Sequence, residues 1–230
     1  MAEILGVNVD CVTMAQAIEK VELLIKQKKP SLVATANAEM LMIASHDLQL
    51  KNILNLAAMV VPDGAGTVWA AHYLGYDMPE RVAGCDLVTN LLKKNYRAYF
   101  FGAAEGVAKK AAEKFPNVVG VRNGFFSKDD EPKIISDINS ANADILLVGL
   151  GVPKQEKWIF DNLDKINVPV CIGVGGTFDV LAGNVKRAPE WMQRAKLEWL
   201  FRALLQPSRA GRLIALPKFV FKVHNSKKSK

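Results

Sequence analysis

Short unbroken apolar runs, each closed by glycine, proline or a small polar residue, alternate along this chain with segments whose apolar positions recur every three or four residues. The first pattern predicts strands buried on both faces, the second amphipathic helices. Strands are expected over 4–9, 31–36, 58–62, 97–101, 118–121, 144–150 and 168–174. Thr13 and Gln16 form a capping-box pattern that opens the first helix, with Ala17, Val21, Leu24 and Ile25 turned inward. Asp47 is placed to cap a helix running through Leu56, and further helices are expected over 66–74, 85–95, 104–115, 131–141 and 154–163, with 80–84 as a connector. This alternation builds an α/β architecture: a Rossmann-like, mostly parallel sheet with helices on both faces. Beyond it, 189–205 reads as an amphipathic helix and 207–223 as a shorter basic and apolar segment broken at Pro217.

Composition supports a globular body and then separates it from its tail. At 230 residues, half of them hydrophobic, the chain can bury a sizeable core. Its net charge of +7 is unevenly spread: residues 1–190 hold 20 Lys and Arg against 22 Asp and Glu, whereas 191–230 hold 10 against Glu198 alone. A Rossmann-like domain over 1–190 and a basic, amphipathic helical appendage over 191–230 are therefore expected. The appendage should meet an acidic partner, either anionic lipid or a phosphate-bearing molecule. Cys11, Cys85 and Cys171 are far apart and lack neighbouring histidines, which suits a reducing cytoplasm and indicates neither a disulfide framework nor a zinc site. No signal-peptide pattern and no membrane-spanning apolar stretch is found.

Open α/β sheets bind ligands at the carboxyl ends of their strands, so polar residues where apolar runs stop are the candidates for chemistry. The run at 59–62 ends in Asp63, followed by Gly64 and Gly66. Asp63 is read either as the central functional carboxylate or as the N-cap of the next helix. Thr35 and Asn37 occupy the matching positions after 31–36. Strand ends at Gly102, Gly151 and Gly176 each precede a helix whose free N–H groups could hold phosphate, although glycine there also serves backbone conformation alone. The stretch from Gly149 to Glu156 adds Pro153, suited to a first helical turn, and Gln155, within reach of a base or ribose. Trp158 in the same helix is expected in the core.

Several chemistries lack their signatures. There is no G-x-G-x-x-G fingerprint, Walker A sequence or H-E-x-x-H, and no Ser-His-Asp arrangement that the spacing supports. No D-x-D occurs to hold a divalent metal on a nucleotide sugar. One carboxylate among neutral hydrogen-bonding groups suits a single general base. A leaving diphosphate would then rely on helix N-termini or on Arg81, Arg202, Arg209 and Arg212, each of which taken singly is more readily read as a solvated surface residue.

Taken together, Thr-Ala-Asn-Ala-Glu at 35–39, Pro-Asp-Gly at 62–64, Gly-Leu-Gly-Val-Pro-Lys-Gln-Glu at 149–156, Gly-Val-Gly-Gly-Thr-Phe-Asp at 173–179, Arg-Ala-Pro at 187–189 and Glu-Trp-Leu-Phe-Arg at 198–202 resemble the WecG/TagA/CpsF glycosyltransferase family. The motifs stand in family order along essentially the whole chain. The resemblance implies an inverting transferase working at the cytoplasmic membrane face on a UDP-sugar and a polyprenyl-diphosphate-linked sugar. Its TagA type uses UDP-N-acetylmannosamine and undecaprenyl-diphospho-N-acetylglucosamine in wall teichoic acid synthesis, while related members use N-acetylmannosaminuronic acid. It also implies a catalytic group of Asp63, Thr35, Asn37 and Arg81, with Asp63 as base and Thr35 and Asn37 in the acceptor pocket. The nucleotide side would comprise Gly102, Gly149, Gly151, Pro153, Gln155, Gly175, Phe178 and Asp179. Arg202, Arg209 and Arg212 of the membrane-associated appendage would complete the site at the lipid diphosphate. No cofactor and no metal are expected.

One base suffices for inversion, whereas a retaining double displacement wants a second, nucleophilic carboxylate near Asp63. Two other classes compete. A nucleic-acid module with a basic arm explains the tail but not Asp63 or Gln155, so nucleic acid is not expected as a partner. A Rossmann-like oxidoreductase lacks its fingerprint. Self-association through apolar tail residues is a further expectation.

Overall fold

The computed structural model describes residues 1–189, 191, 192, 201 and 211–228. Its first elements, Ala2–Ile4 (β1) and Val7–Val9 (β2), form an antiparallel hairpin where one strand over 4–9 was expected. Leu5 and Gly6, at φ 52° and 81°, reverse the chain between them. Two successive left-handed residues make the tight turn whose twist matches paired strands, and alternation alone does not reveal it in a leucine.

Six parallel strands form the main sheet: Ser31–Ala36 (β3), Met59–Pro62 (β4), Ala98–Gly102 (β5), Val118–Arg122 (β6), Ile145–Gly149 (β7) and Val170–Gly173 (β8). Their spatial order is β4-β3-β8-β7-β5-β6. Every position of β4, β5, β7 and β8 is buried, as strands covered on both faces require. The outer edge of β4 is closed by Asp10, whose N–H donates to Val60 C=O (2.8 Å) and whose Oδ2 accepts the Val60 N–H (2.8 Å). From β5 the chain moves outward to β6, and from β7 it moves the opposite way to β8. Neighbouring strands that diverge in this manner open a crevice at their carboxyl ends, where α/β proteins bind ligands.

Helices Met14–Gln27 (α1), Gly84–Leu92 (α5), Val107–Ala112 (α6) and Thr177–Leu181 (α9) cover one face, packing on Val33, Val61, Phe100, Leu147 and Ile172. The other face has two clusters. Ala38–Ala44 (α2), Leu48–Leu56 (α3), Ala65–Tyr73 (α4) and the hairpin pack over Ala34 and Val60. Glu131–Ser140 (α7) and Lys154–Asn162 (α8) pack over Phe101, Leu146 and Cys171, with Trp158 in this core as expected. Both capping predictions hold: Thr13 and Gln16 close a reciprocal box on α1, and Asp47 accepts the Leu50 N–H at the start of α3. Lys157 of α8 also binds Asp47 (2.6 Å), anchoring α8 to α3.

The last helix, Gly211–Lys228 (α10), differs from expectation in two respects. It runs through Pro217 without a break, and it is packed on the body rather than peripheral. Phe219 and Val223 are 1% and 0% exposed and join the cluster that contains Met40, Leu41 and Val68. Burying two such side chains contributes about 3–5 kcal/mol, enough to offset the roughly 3 kcal/mol cost of an interior proline. Lys222 donates to Ser45 Oγ (2.8 Å), Lys227 donates to Tyr73 C=O (2.7 Å), and His224 pairs with the Tyr73 hydroxyl, so polar contacts flank the apolar seam. The expected helix over 189–205 falls largely outside the described residues. No described helix is long and apolar enough to cross a membrane.

Candidate active site

Pairing of β3 with β4 sets Thr35 opposite Val61 and Ala36 opposite Pro62, so Asn37 and Asp63 leave the sheet side by side at its carboxyl edge. The Asp63 N–H donates to Ala36 C=O (2.9 Å) and Val61 C=O (3.0 Å), and the Thr67 hydroxyl donates to Ala36 C=O (3.0 Å), which pins the corner. Gly64 follows at φ 96°, a region that favours glycine, and a β-carbon there would lie 3.6 Å from Asn37 Cβ. Gly64 is the cap residue of α4, and no side chain caps that helix. Gly64 rather than Asp63 therefore occupies the cap position, and Asp63 stays partly exposed at the rim.

Neighbouring groups are fixed by their own bonds. Asn37 Oδ1 accepts the Met40 N–H (3.0 Å) and caps α2, a bond that does not use its amide nitrogen. Thr35 is 7% exposed, and its hydroxyl donates to Gly173 C=O (3.1 Å), linking β3 to β8. Arg81 sits in a connector held on both sides: Glu80 accepts the Met14 N–H, and the Val82 N–H donates to Pro62 C=O (3.0 Å). That second bond places Arg81 at the end of β4, next to the Asp63 corner. At the start of α5, Asp86 forms a two-bond ion pair with Arg187 of the Arg-Ala-Pro motif, Nη2 to Oδ2 at 2.6 Å.

The glycine-rich side is organised from within. Gln155 and Glu156, in the first turn of α8, are 1% and 0% exposed. Gln155 Oε1 accepts the N–H groups of Gly151 (3.1 Å) and Gly175 (3.0 Å), while its Nε2 donates to Glu156 Oε1 (2.7 Å). The side chain expected to reach a base or ribose is therefore turned inward and ties two loops together. Removal from water pushes the Glu156 carboxyl up to about 7, against the pull of the Gln155 amide and of its own backbone N–H. Gly102, at φ 128°, allows β5 to approach β7: a β-carbon there would fall 2.5 Å from the Gly149 carbonyl. A β-carbon at Gly149 would meet the Phe178 ring at 2.8 Å. Around Gly151 and Gly175, by contrast, an added β-carbon would meet nothing within 4 Å, so these two turns border open space.

The structure thus gathers Thr35, Asn37, Asp63 and Arg81 at one end of the carboxyl edge and Gly149, Gly151, Pro153 and Gly175 at its middle. Phe178 is fully buried and stacked on Phe100 (centroids 4.8 Å apart), a core position beneath the turn. Asp179 is partly exposed and its C=O accepts the N–H groups of Asn184 and Val185. Arg202 and Arg209 lie outside the described residues, and Arg212 lies in the first turn of α10 with its side chain outside them. Leu216 and Phe219 of α10 come within 3.8 Å of a β-carbon built at Gly66, so this helix abuts the first turn of α4, three residues from Asp63. Sequence reasoning left Glu156 without a role, yet it lies three residues before buried Ile159 on the inward face of α8, so periodicity could have signalled its burial. Among the described residues no cluster of three His, Cys, Asp or Glu is placed to hold a metal ion. The Cys171 thiol is sealed in the core and pushed up to about 12 by burial.

Such an edge, with Asp63 partly exposed beside an amide and a hydroxyl and with open glycine turns on a parallel sheet, suits a Rossmann-like enzyme of the group-transfer kind. The glycosyl transferase WecG/TagA/CpsF family matches residues 2–230, and the chain belongs to it. It is 35% identical over 216 residues to the N-acetylglucosaminyldiphosphoundecaprenol N-acetyl-beta-D-mannosaminyltransferase of Bacillus subtilis (strain 168), covering 90% of this chain and 84% of that protein. A protein of the same name from Staphylococcus aureus (strain NCTC 8325 / PS 47) is 31% identical over 237 residues, covering 98% of this chain and 93% of its own length. The chain is accordingly a glycosyltransferase.

Proposed function

We propose that the chain transfers N-acetylmannosamine from UDP-N-acetylmannosamine to undecaprenyl-diphospho-N-acetylglucosamine, with inversion, in building the linkage unit of wall teichoic acid. The observation that carries this reading is the convergence of Asp63, Asn37, Thr35 and Arg81 on adjacent strand ends, in a chain whose relatives with that named activity match nearly its whole length. Asp63 takes the proton of the acceptor's 4-hydroxyl as that oxygen attacks the anomeric carbon. The bond to UDP breaks on the opposite face and its electron pair leaves with the diphosphate. Asn37 and Thr35 shape the acceptor side, and the open turns at Gly151 and Gly175 receive the nucleotide. Arg81, together with Arg202, Arg209 and Arg212, offsets charge developing on the phosphates.

A lipid-linked acceptor places the reaction at the cytoplasmic face of the membrane. Support for peripheral attachment is the basic tail and the outward side of α10, where Val220 and Phe221 are 43% and 67% exposed. Turnover with a panel of UDP-N-acetylhexosamines and a lipid-diphosphate N-acetylglucosamine acceptor, with and without chelator, tests the reading. Preference for the manno donor and insensitivity to chelator are expected; preference for another donor at equal acceptor would replace the sugar assignment.

A further inference from the structure

The carboxyl of Glu156 is buried, its Oε2 has no hydrogen-bond partner, and the proposed reaction assigns it no task. A buried polar atom without a partner costs about 1–3 kcal/mol, so an apolar side chain of similar size would pack there more favourably. Its other oxygen accepts the 2.7 Å bond from Gln155 Nε2. The amide so held has its oxygen on the N–H groups of two separate loops, Gly151 at 3.1 Å and Gly175 at 3.0 Å. Gly173, at the end of β8, leaves room for this arrangement, since a β-carbon there would lie 2.7 Å from Glu156 Oε1 and 2.8 Å from Gln155 Nε2. The Gly173 carbonyl in turn accepts the Thr35 hydroxyl from the acceptor side of the edge.

We infer that Glu156 is a positioning residue for donor binding: by accepting from the Gln155 amide it keeps one oxygen on both Gly151 and Gly175 and fixes the spacing of the two open turns. Three donors, the Gln155 NH2 and two backbone N–H groups, would otherwise compete in one buried place. With Glu156 on one side, the amide has a single orientation that satisfies all of them. The carboxyl accepts whether or not it carries a proton, so the clamp needs an oxygen at this position and not a charge. The donor role rests on the proposal that these turns receive the UDP-sugar; the clamp itself does not.

Hydrogen exchange on the full-length protein, read at the turns around Gly151 and Gly175, separates the two. Glu156→Met, which removes the acceptor at similar volume, should speed exchange at both turns about tenfold, whereas Glu156→Gln, which keeps an oxygen there, should retain protection. Gly173→Ala, which drives a β-carbon at the same atoms from the other side, is the second variant should Glu156→Met fail to fold. In transfer assays the loosened variant should raise the KM for the UDP-sugar about tenfold with kcat nearly unchanged, and Glu156→Gln should rescue it. Unchanged protection in the loosened variant overturns the clamp. Lost protection with an unchanged donor KM overturns the donor role. Should the wild type show no saturable use of any UDP-sugar, the proposed function fails, and exchange still decides the clamp.

Discussion

Asp63 and Glu156 are carboxylates at the same edge of one sheet, yet their surroundings give them opposite characters. Asp63 follows a strand, on a corner held by backbone bonds, and remains partly exposed. Glu156 begins a helix under the loops, sealed from water, with its affinity for a proton raised to about 7. Exposure at the crevice rim suits proton transfer to and from substrate, whereas burial suits holding other groups in place. Residue type alone does not decide between the two roles; position relative to the sheet edge does.

The largest expected effect comes from removing the proposed base. Asp63→Asn keeps the shape of the corner and should lower turnover about a hundredfold or more, with thermal stability nearly unchanged. Turnover within a fewfold of wild type would dissolve the contrast between the two carboxylates. Next is the pH dependence of stability. Folding raises the Glu156 pKa from 4.5 to about 7, so the folded state keeps a proton that the unfolded chain has released. This residue's contribution should therefore fall as pH climbs from about 4.5 to 7, by at most on the order of 3 kcal/mol, and stay at its lowest above that range. Glu156→Gln removes the effect, so its unfolding midpoint should gain on the wild type between pH 5 and pH 8; parallel pH profiles for the two proteins would refute it.

The smallest effect is expected on the exposed side of α10, in contrast to its buried side. Phe221→Ser, on the exposed side, should change stability by less than about 0.5 kcal/mol while reducing cosedimentation of the full chain with anionic vesicles. Phe219→Ala, in the seam with α2 and α4, should cost about 3 kcal/mol or more. Equal vesicle binding by wild type and Phe221→Ser would count against the outer side as the membrane contact.

Most of the layered fold was legible because buried parallel strands are written as unbroken apolar runs. The runs at 31–36, 58–62 and 97–101 correspond to β3, β4 and β5 within a residue or two. The structure departs from the sequence pattern where local pattern and tertiary context disagree. The Leu5 turn hides in an alternating stretch, and Pro217 looks like a break because only packing of Phe219 and Val223 reveals what holds the helix together. At the site, strand ends pointed to Thr35, Asn37 and Asp63, since the carboxyl edge follows from topology. At Gln155 the sequence shows that an amide follows a glycine turn but not which way it faces, and the fold turns it inward.

By itself, then, the sequence determined the parallel α/β sheet, the family and the carboxylate at the end of the third apolar run, because burial pattern and turn chemistry are local properties of the chain. Tertiary structure alone decided that Gly64 takes the cap position after Asp63, that Gln155 and Glu156 are buried beneath the loops, and that the last helix docks beside α4. Those outcomes depend on contacts between residues far apart in the chain, such as Glu156 with Gly173 or Phe219 with Gly66, and no local pattern encodes them.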